Sequence, residues 1–148
     1  MSIEQKAIEA RVADGFKRAN FIVDLGIEAT ACGAGWVEAE MPILPRHLQQ
    51  GGFVHAGVQS TLADHTAGAA AATLLDEGFS LLTIEFKVNL LRPALCDTLQ
   101  CRAEVLKPGK QVCVVESEVF AINNGEKRLF SKTMVTLAVL PVAATLPR

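Results

Sequence analysis

The spacing of hydrophobic residues changes along the chain, and each change marks an expected secondary-structure element. Over residues 2–19, four apolar residues recur near helical spacing: Ile3, Ile8, Val12 and Phe16. With Ser2 able to cap it, this segment is predicted to be an N-terminal helix. Residues 21–32 and 36–43 have the character of extended chain, and the Gly33-Ala34-Gly35 sequence between them favours a turn. We therefore expect a helix followed by a β-hairpin.

A second helix, predicted over residues 57–75, carries little charge and little side-chain bulk. Its middle, residues 67–72, consists of alanine and one glycine. A surface helix would alternate apolar residues with charged ones, and this segment does not. We expect the helix to be buried or to be approached closely by another backbone. The Asp76-Glu77-Gly78 sequence is expected to end it.

The rest of the chain is rich in predicted strands, over residues 81–91, 98–106, 111–122 and 127–140. The first of them alternates, so that one face is predicted to carry Ile84, Phe86, Val88 and Leu90. Its other face is predicted to carry Thr83, Glu85, Lys87 and Asn89. Turn sequences at 107–110 and 123–125 are short, which favours antiparallel neighbours and a four-strand meander. The pattern predicts one α+β domain over residues 1–148, with an antiparallel sheet wrapped around the long helix.

Composition and charge exclude several classes of protein. Half of the 148 residues are apolar, a fifth are charged, and the formal net charge is −2. Nucleic acids and anionic membranes favour a basic excess, so neither is an expected partner. The first residues lack the pattern of a signal peptide, and apolar runs such as 67–75 are shorter than the roughly 20 residues of a membrane span. We expect a cytoplasmic protein whose four scattered cysteines pack as small apolar groups.

A glycine-rich turn that contains a histidine leads directly into the long helix. The sequence HAGVQSTLAD, residues 55–64, resembles the HGG-x(4)-L-x-D signature of the PaaI-like acyl-CoA thioesterase family, which has the hotdog fold. The similarity extends over residues 21–140 and includes the Arg92-Pro93 step. This chain departs from the family pattern at Ala56, which replaces a glycine, and at Gln49, where many members have asparagine.

Thioester hydrolysis needs a donor that polarises the carbonyl oxygen and a group that activates water or attacks directly. The start of the long helix supplies unpaired N–H groups at Ala56 and Gly57, and Ala56 is the candidate oxyanion donor. Asp64 is the candidate general base or nucleophile, because an acid among small apolar residues needs a partner or a use. Its alternative is an acid that faces solvent. Gln49 could orient water or the carbonyl, or it could bond to its own backbone.

The spacing of Ala56 and Asp64 bears on assembly. They are eight residues apart, which places them about 12 Å apart along a helix. One carbonyl cannot contact both groups, so a shared reaction requires two subunits. Two such helices packed antiparallel about a two-fold axis would form two equivalent sites. The resemblance also implies a site at the interface of a homodimer, and we expect a homotetramer.

The resemblance implies roles for further residues. Thr83 would hydrogen-bond the water or Asp64, although a threonine on a sheet is an equal alternative. His55 would fix the loop and the helix start. His65 follows Asp64 and points about 100° away around the helix, so it is expected to pack in the core or at an interface. The CoA phosphates are expected to meet surface cations, for which the candidates are Arg92, Lys107 and Lys110. No cofactor is expected, and the histidine and aspartate spacings do not favour zinc.

Two other functions fit parts of the pattern. A hotdog dehydratase would resemble a histidine-plus-glutamate arrangement, whereas this helix carries Asp64 and no early glutamate. A non-catalytic acyl-CoA-binding module would bind the ligand without releasing a thiol. We expect hydrolysis of a small aromatic or short- to medium-chain acyl-CoA.

Overall fold

The computed structural model describes residues 2–145, which form a six-stranded sheet and several helices. The helices are α1 (Ile3–Arg18), α2 (Asn20–Leu25), α3 (Ala56–Ala72) and α4 (Val142–Thr145), with a 3₁₀ turn at Pro45–His47. The strands are β1 (Glu28–Gly33), β2 (Trp36–Pro42), β3 (Phe79–Leu90), β4 (Thr98–Lys107), β5 (Val112–Asn123) and β6 (Glu126–Pro141). In this part of the chain, no helix is long and apolar enough to cross a bilayer.

The sheet is antiparallel throughout, in the order β1-β2-β4-β5-β6-β3, and α3 packs against it. Leu62, Ala63 and Ala67 of α3 are fully buried against it. The expected α+β architecture, with a sheet around a long helix, is therefore confirmed. Cys101 lies in the same core, where burial raises the pKa of its thiol to about 12 and keeps it neutral.

The predicted four-strand meander is wrong at its first strand. Only β4, β5 and β6 are consecutive neighbours, whereas β3 pairs with β6 at the far edge of the sheet. Residues 91–97 carry the chain from that edge to β4, which lies beside β2. Backbone bonds hold this crossing segment, since the N–H groups of Ile43 and Val54 donate to the carbonyls of Asp97 and Ala94. Short turns fix the β4–β6 pairings, but no short turn links β3 to β4.

The start of the predicted strand at residues 21–32 is also wrong, because Asn20–Leu25 form the helix α2. Ile22 alone of this helix is buried. Gly26 ends the helix in the left-handed conformation, with φ of 75°, and its N–H donates to carbonyls of the last turn. A short apolar run has the same composition in a helix as in a strand, so the sequence pattern could not separate them.

A β-bulge in β3 changes which side chains face inward. Thr83 pairs with Leu137 and Glu85 pairs with Thr136, so Ile84 is an extra residue in the ladder. Paired residues of antiparallel strands point to the same face, and Leu137 is buried. Thr83 therefore faces the core side together with Phe86, whose partner is the buried Val135. The prediction that Thr83 and Phe86 face opposite ways was wrong because regular alternation assumes no bulge.

Helix α1 packs across α3, and side-chain contacts join the two helices at two places. The Phe16 ring meets the His65 ring edge-on, with their centroids 4.6 Å apart. The Arg11 guanidinium donates to the carbonyls of Ala72 and Leu75, each at 2.7 Å. The Ala72 carbonyl also accepts from the Leu75 N–H at 3.2 Å. These bonds lie at the end of α3, which stops at Ala72 rather than at residue 75 as predicted.

Candidate active site

The N-terminus of α3 presents one backbone N–H that is open to a ligand. His55 is the N-cap, and its Nδ1 accepts from the Gly57 N–H at 2.9 Å. The Val58 N–H donates to the His55 carbonyl at 3.0 Å. Within the described part of the chain, the Ala56 N–H has no acceptor. Ala56 is exposed and has a helical, negative φ, so alanine fits here without the strain that a positive φ would bring.

Asp64 of α3 meets Thr83 of the edge strand β3. The Thr83 hydroxyl donates to Oδ1 of Asp64 at 2.9 Å, because the bulge at Ile84 turns Thr83 towards the helix. Asp64 is half-buried and lies on the wall of an open cavity. Its surroundings are therefore more accessible to solvent within one subunit than the apolar sequence around it suggests. The structure brings Asp64 and Thr83 together, and it leaves Ala56 two turns away on the same helix.

His65 points away from this carboxylate and packs against Phe16. Burial lowers the pKa of its imidazole, an effect that the charge of Asp64 partly offsets. Its Nε2 is buried and accepts or donates no hydrogen bond within residues 2–145. These features agree with the predicted packing role.

The Gln49 side chain bonds to the backbone of its own loop, which was the alternative to orienting water or the carbonyl. Its Oε1 accepts from the Gly51 N–H, which holds the amide against its own loop. A Cβ at position 51 would lie 3.0 Å from that oxygen, so glycine makes room for it. The loop itself adjoins the helix start, since Leu48 bridges to Val54 and the His55 N–H donates to the His47 carbonyl.

The three candidate phosphate-binding cations do not gather at the start of α3. The Arg92 guanidinium donates to the Leu129 carbonyl at 2.7 Å. Lys107 ends β4, and Lys110 follows in the turn that lines a cavity of about 320 Å³ with Leu74. That cavity lies at the C-terminal end of α3, and the 17 residues of this helix span roughly 25 Å.

A larger cavity of about 620 Å³ begins at Asp64 and Thr83 and runs between α1, α3 and β3. Sequence reasoning missed two glycines on its walls, Gly15 and Gly68. An isolated glycine inside a helical pattern was the available signal, because glycine is unfavourable there without a packing or functional reason. Within residues 2–145, including this cavity, no group of three or more His, Cys, Asp or Glu side chains could hold a metal ion.

Comparison with known proteins identifies close structural relatives. The sequence profile of the thioesterase superfamily matches residues 51–127. A thioesterase family protein from Silicibacter pomeroyi is 38% identical, with a TM-score of 0.88 over 90% of this chain and 98% of that one. A thioesterase from Haemophilus influenzae is 29% identical, with a TM-score of 0.78 over 84% of this chain and 85% of that one. A 1,4-dihydroxy-2-naphthoyl-CoA hydrolase from Listeria monocytogenes is 25% identical over 78% of this chain and 91% of its own length.

Proposed function

The chain belongs to the thioesterase superfamily and is a thioester hydrolase, and from this premise we propose that it cleaves acyl-CoA thioesters at a site shared by two subunits. The name of the Listeria relative, a CoA thioester hydrolase, supports acyl-CoA as the substrate class. The observation that carries the proposal is the Thr83–Asp64 hydrogen bond at the mouth of a 620 Å³ cavity. The superfamily membership agrees with the resemblance of residues 55–64 to the PaaI-like signature.

In the proposed reaction, the thioester carbonyl oxygen accepts a hydrogen bond from the Ala56 N–H at the positive end of α3. Asp64 removes a proton from water, and the water oxygen attacks the carbonyl carbon. The C–S bond then breaks, and the CoA sulfur leaves with the proton held by Asp64. The Thr83 hydroxyl fixes one carboxylate oxygen, so that the other is directed at the water. In the competing route, Asp64 attacks the carbonyl carbon, the C–S bond breaks and CoA thiolate leaves, which gives a mixed anhydride. In a single turnover in ¹⁸O-water, attack of water on the aspartyl carbonyl of that anhydride would label the Asp64 carboxylate, which the general-base route never labels.

The site requires two copies because its two essential groups lie on one rigid helix. Ala56 and Asp64 are both within α3 and are separated by about 12 Å along its axis. A reacting carbonyl must lie within about 3 Å of its donor and close to the attacking water. Two antiparallel α3 helices related by a two-fold axis would bring Ala56 of one subunit near Asp64 of the other.

The free edge of β3 supports the same assembly. Among residues 2–145, only β6 pairs with β3, so no strand lies along the other side of this 12-residue strand. Its large apolar side chains are exposed: Leu82 (53%), Ile84 (59%), Phe86 (44%) and Leu90 (47%). A long, apolar sheet edge favours pairing with another strand. A second copy of β3, running antiparallel across the two-fold axis, would cover it. Further association into a tetramer stays a prediction, which light scattering tests.

The proposal is tested by measuring thiol release from acetyl-, hexanoyl-, octanoyl- and benzoyl-CoA. The matched variant is Asp64→Asn, whose side-chain oxygen can still accept from Thr83 while the carboxylate base is lost. We expect hydrolysis by the wild-type protein and a fall in kcat of about 10²- to 10⁴-fold in the variant. Binding of acyl-CoA without thiol release by the wild-type protein would contradict the proposal and favour a binding module. Wild-type activity in Asp64→Asn would remove Asp64 from the mechanism.

A further inference from the structure

The 620 Å³ cavity follows one face of α3 away from the proposed catalytic acid. Asp64, Gly68 and Ala72 lie on successive turns of the helix and all line it. Asp64 and Thr83 are at one end, and residues 75–79 are at the other. Between these ends the cavity extends roughly 12 Å along the helix. A group attached to a carbonyl at Asp64 would enter this space directly.

Helix α1 forms the opposite wall, and its position is fixed. The Phe16–His65 contact holds it near the Asp64 end, and the two bonds of Arg11 hold it near the end of α3. Between these contacts the helices are kept apart without a side chain filling the gap. The remaining walls are mostly apolar, with Val12, Leu81 and Leu137 among them.

Two glycines keep this space open from opposite sides. A Cβ at Gly15 of α1 or at Gly68 of α3 would meet no atom within 4 Å. Both residues are interior to a helix, where glycine is less favourable than alanine. Neither has a positive φ, so backbone conformation does not require glycine at these positions. Neither steric crowding nor backbone conformation therefore requires glycine at these two positions. What the two glycines provide is the empty volume of the cavity.

We infer that this cavity holds the hydrophobic tail of the acyl group, and that Gly15 and Gly68 determine the largest tail that is accepted. The inference rests on the proposed function. The volume of the cavity, about 620 Å³, lies within the range of about 300–1,000 Å³ that is typical of small-molecule sites, and it is more than an acetyl group needs. The substrate class is therefore a medium-chain or aromatic acyl thioester. The carboxylates of Asp14, Asp76 and Glu77 outnumber the one Arg or Lys on the walls, Arg11, which disfavours a tail that ends in a negative charge.

The test compares Gly68→Leu and Gly15→Leu with the wild-type protein on octanoyl-CoA and acetyl-CoA. Each variant adds bulk from a different wall, so both should reduce the ratio of kcat/KM for octanoyl-CoA to that for acetyl-CoA. We expect a reduction of at least about tenfold, as for other changes in the size of an apolar pocket. The matched control is Ala10→Leu, which adds the same side chain to an exposed position of α1 outside the cavity. Its ratio should equal that of the wild-type protein.

Thermal unfolding shows which variants are folded, and one folded glycine variant is sufficient. An unchanged ratio in a folded variant would overturn the inference while leaving the hydrolase proposal intact. Absence of hydrolysis by the wild-type protein would instead refute the proposed function. Calorimetry with octanoyl-CoA and acetyl-CoA would then decide the inference, since the Kd ratio must shift by at least about tenfold in the glycine variants.

Discussion

Replacement of Ala56 by proline should remove one catalytic hydrogen bond and leave the fold unchanged. Ala56 is the first residue of α3, where proline is favoured because no helical bond uses that N–H. His55 has φ of −61° and ψ of 138°, which is the extended conformation that proline favours in the residue before it. The Ala56 N–H has no acceptor in the described structure, so its removal breaks no existing bond.

The expected loss of activity is large because no neighbouring donor can substitute. The Gly57 N–H is already bonded to His55 Nδ1, and the Val58 N–H is bonded to the His55 carbonyl. Loss of one oxyanion donor lowers kcat by about 10²- to 10³-fold, which corresponds to about 2.7–4 kcal/mol. Ala56→Gly is the matched control, because it alters the same residue and retains the N–H. The assay is thiol release at saturating acyl-CoA, with unfolding measured in parallel.

Mixing Ala56→Pro subunits with Asp64→Asn subunits then tests whether the site is shared. In a mixed dimer, one site combines the intact Ala56 of one subunit with the intact Asp64 of the other, and the second site lacks both. Random exchange should restore about a quarter of wild-type activity, because about half of the dimers are mixed and each has one intact site. If mixing two inactive proteins restores nothing although the subunits exchange, the shared site is refuted.

Three further outcomes are expected. Thr83→Val keeps the shape of the side chain but loses its bond to Asp64, so kcat should fall about tenfold, and Thr83→Ser should recover most of it. Full activity in the valine variant would contradict the positioning role. Ile84→Lys places a charge on the exposed edge of β3 and should give monomers by light scattering together with loss of thiol release, whereas an active monomer would refute the two-subunit site. Burial lowers the pKa of His65 in the folded protein below the usual histidine value of 6.5, so near and below that pH the unfolded chain binds more protons than the folded one. The free energy of unfolding should therefore decrease as the pH falls from 7.5 to 5.5. Urea unfolding should show a smaller decrease for His65→Gln, and an equal decrease would assign the effect to other groups.

The sequence predicted the elements whose cues are local. The start of α3 follows from a capping histidine and a turn rich in glycine, and the structure begins this helix one residue before the prediction. The turns at 107–110 and 123–125 identified the antiparallel neighbours β4, β5 and β6 for the same reason. The HAGVQSTLAD sequence singled out Asp64 and Ala56 through its resemblance to the PaaI-like signature, and the small apolar residues around the acid supported the choice of Asp64.

Features that depend on distant contacts could not be predicted. The pairing of β3 with β6 depends on a long crossing segment rather than a turn. The bulge at Ile84 has no sequence marker, since the apolar and polar residues alternate through it without interruption. The Gln49 amide could bond locally or remain free with the same neighbours in sequence, and only the loop geometry decides. The cavity wall formed by α1 arises from the packing of two helices that are far apart in the chain.

The extra residue in β3 also marks a position at which the strand can lose one amino acid and keep its pairing with β6. Removal of one amino acid from a regular strand would exchange the inward and outward sides of everything beyond it. At position 84 the opposite holds, because Thr83 and Glu85 already oppose the consecutive partners Leu137 and Thr136. Loss of this single codon would leave an uninterrupted ladder and every other side chain of the strand on its present side.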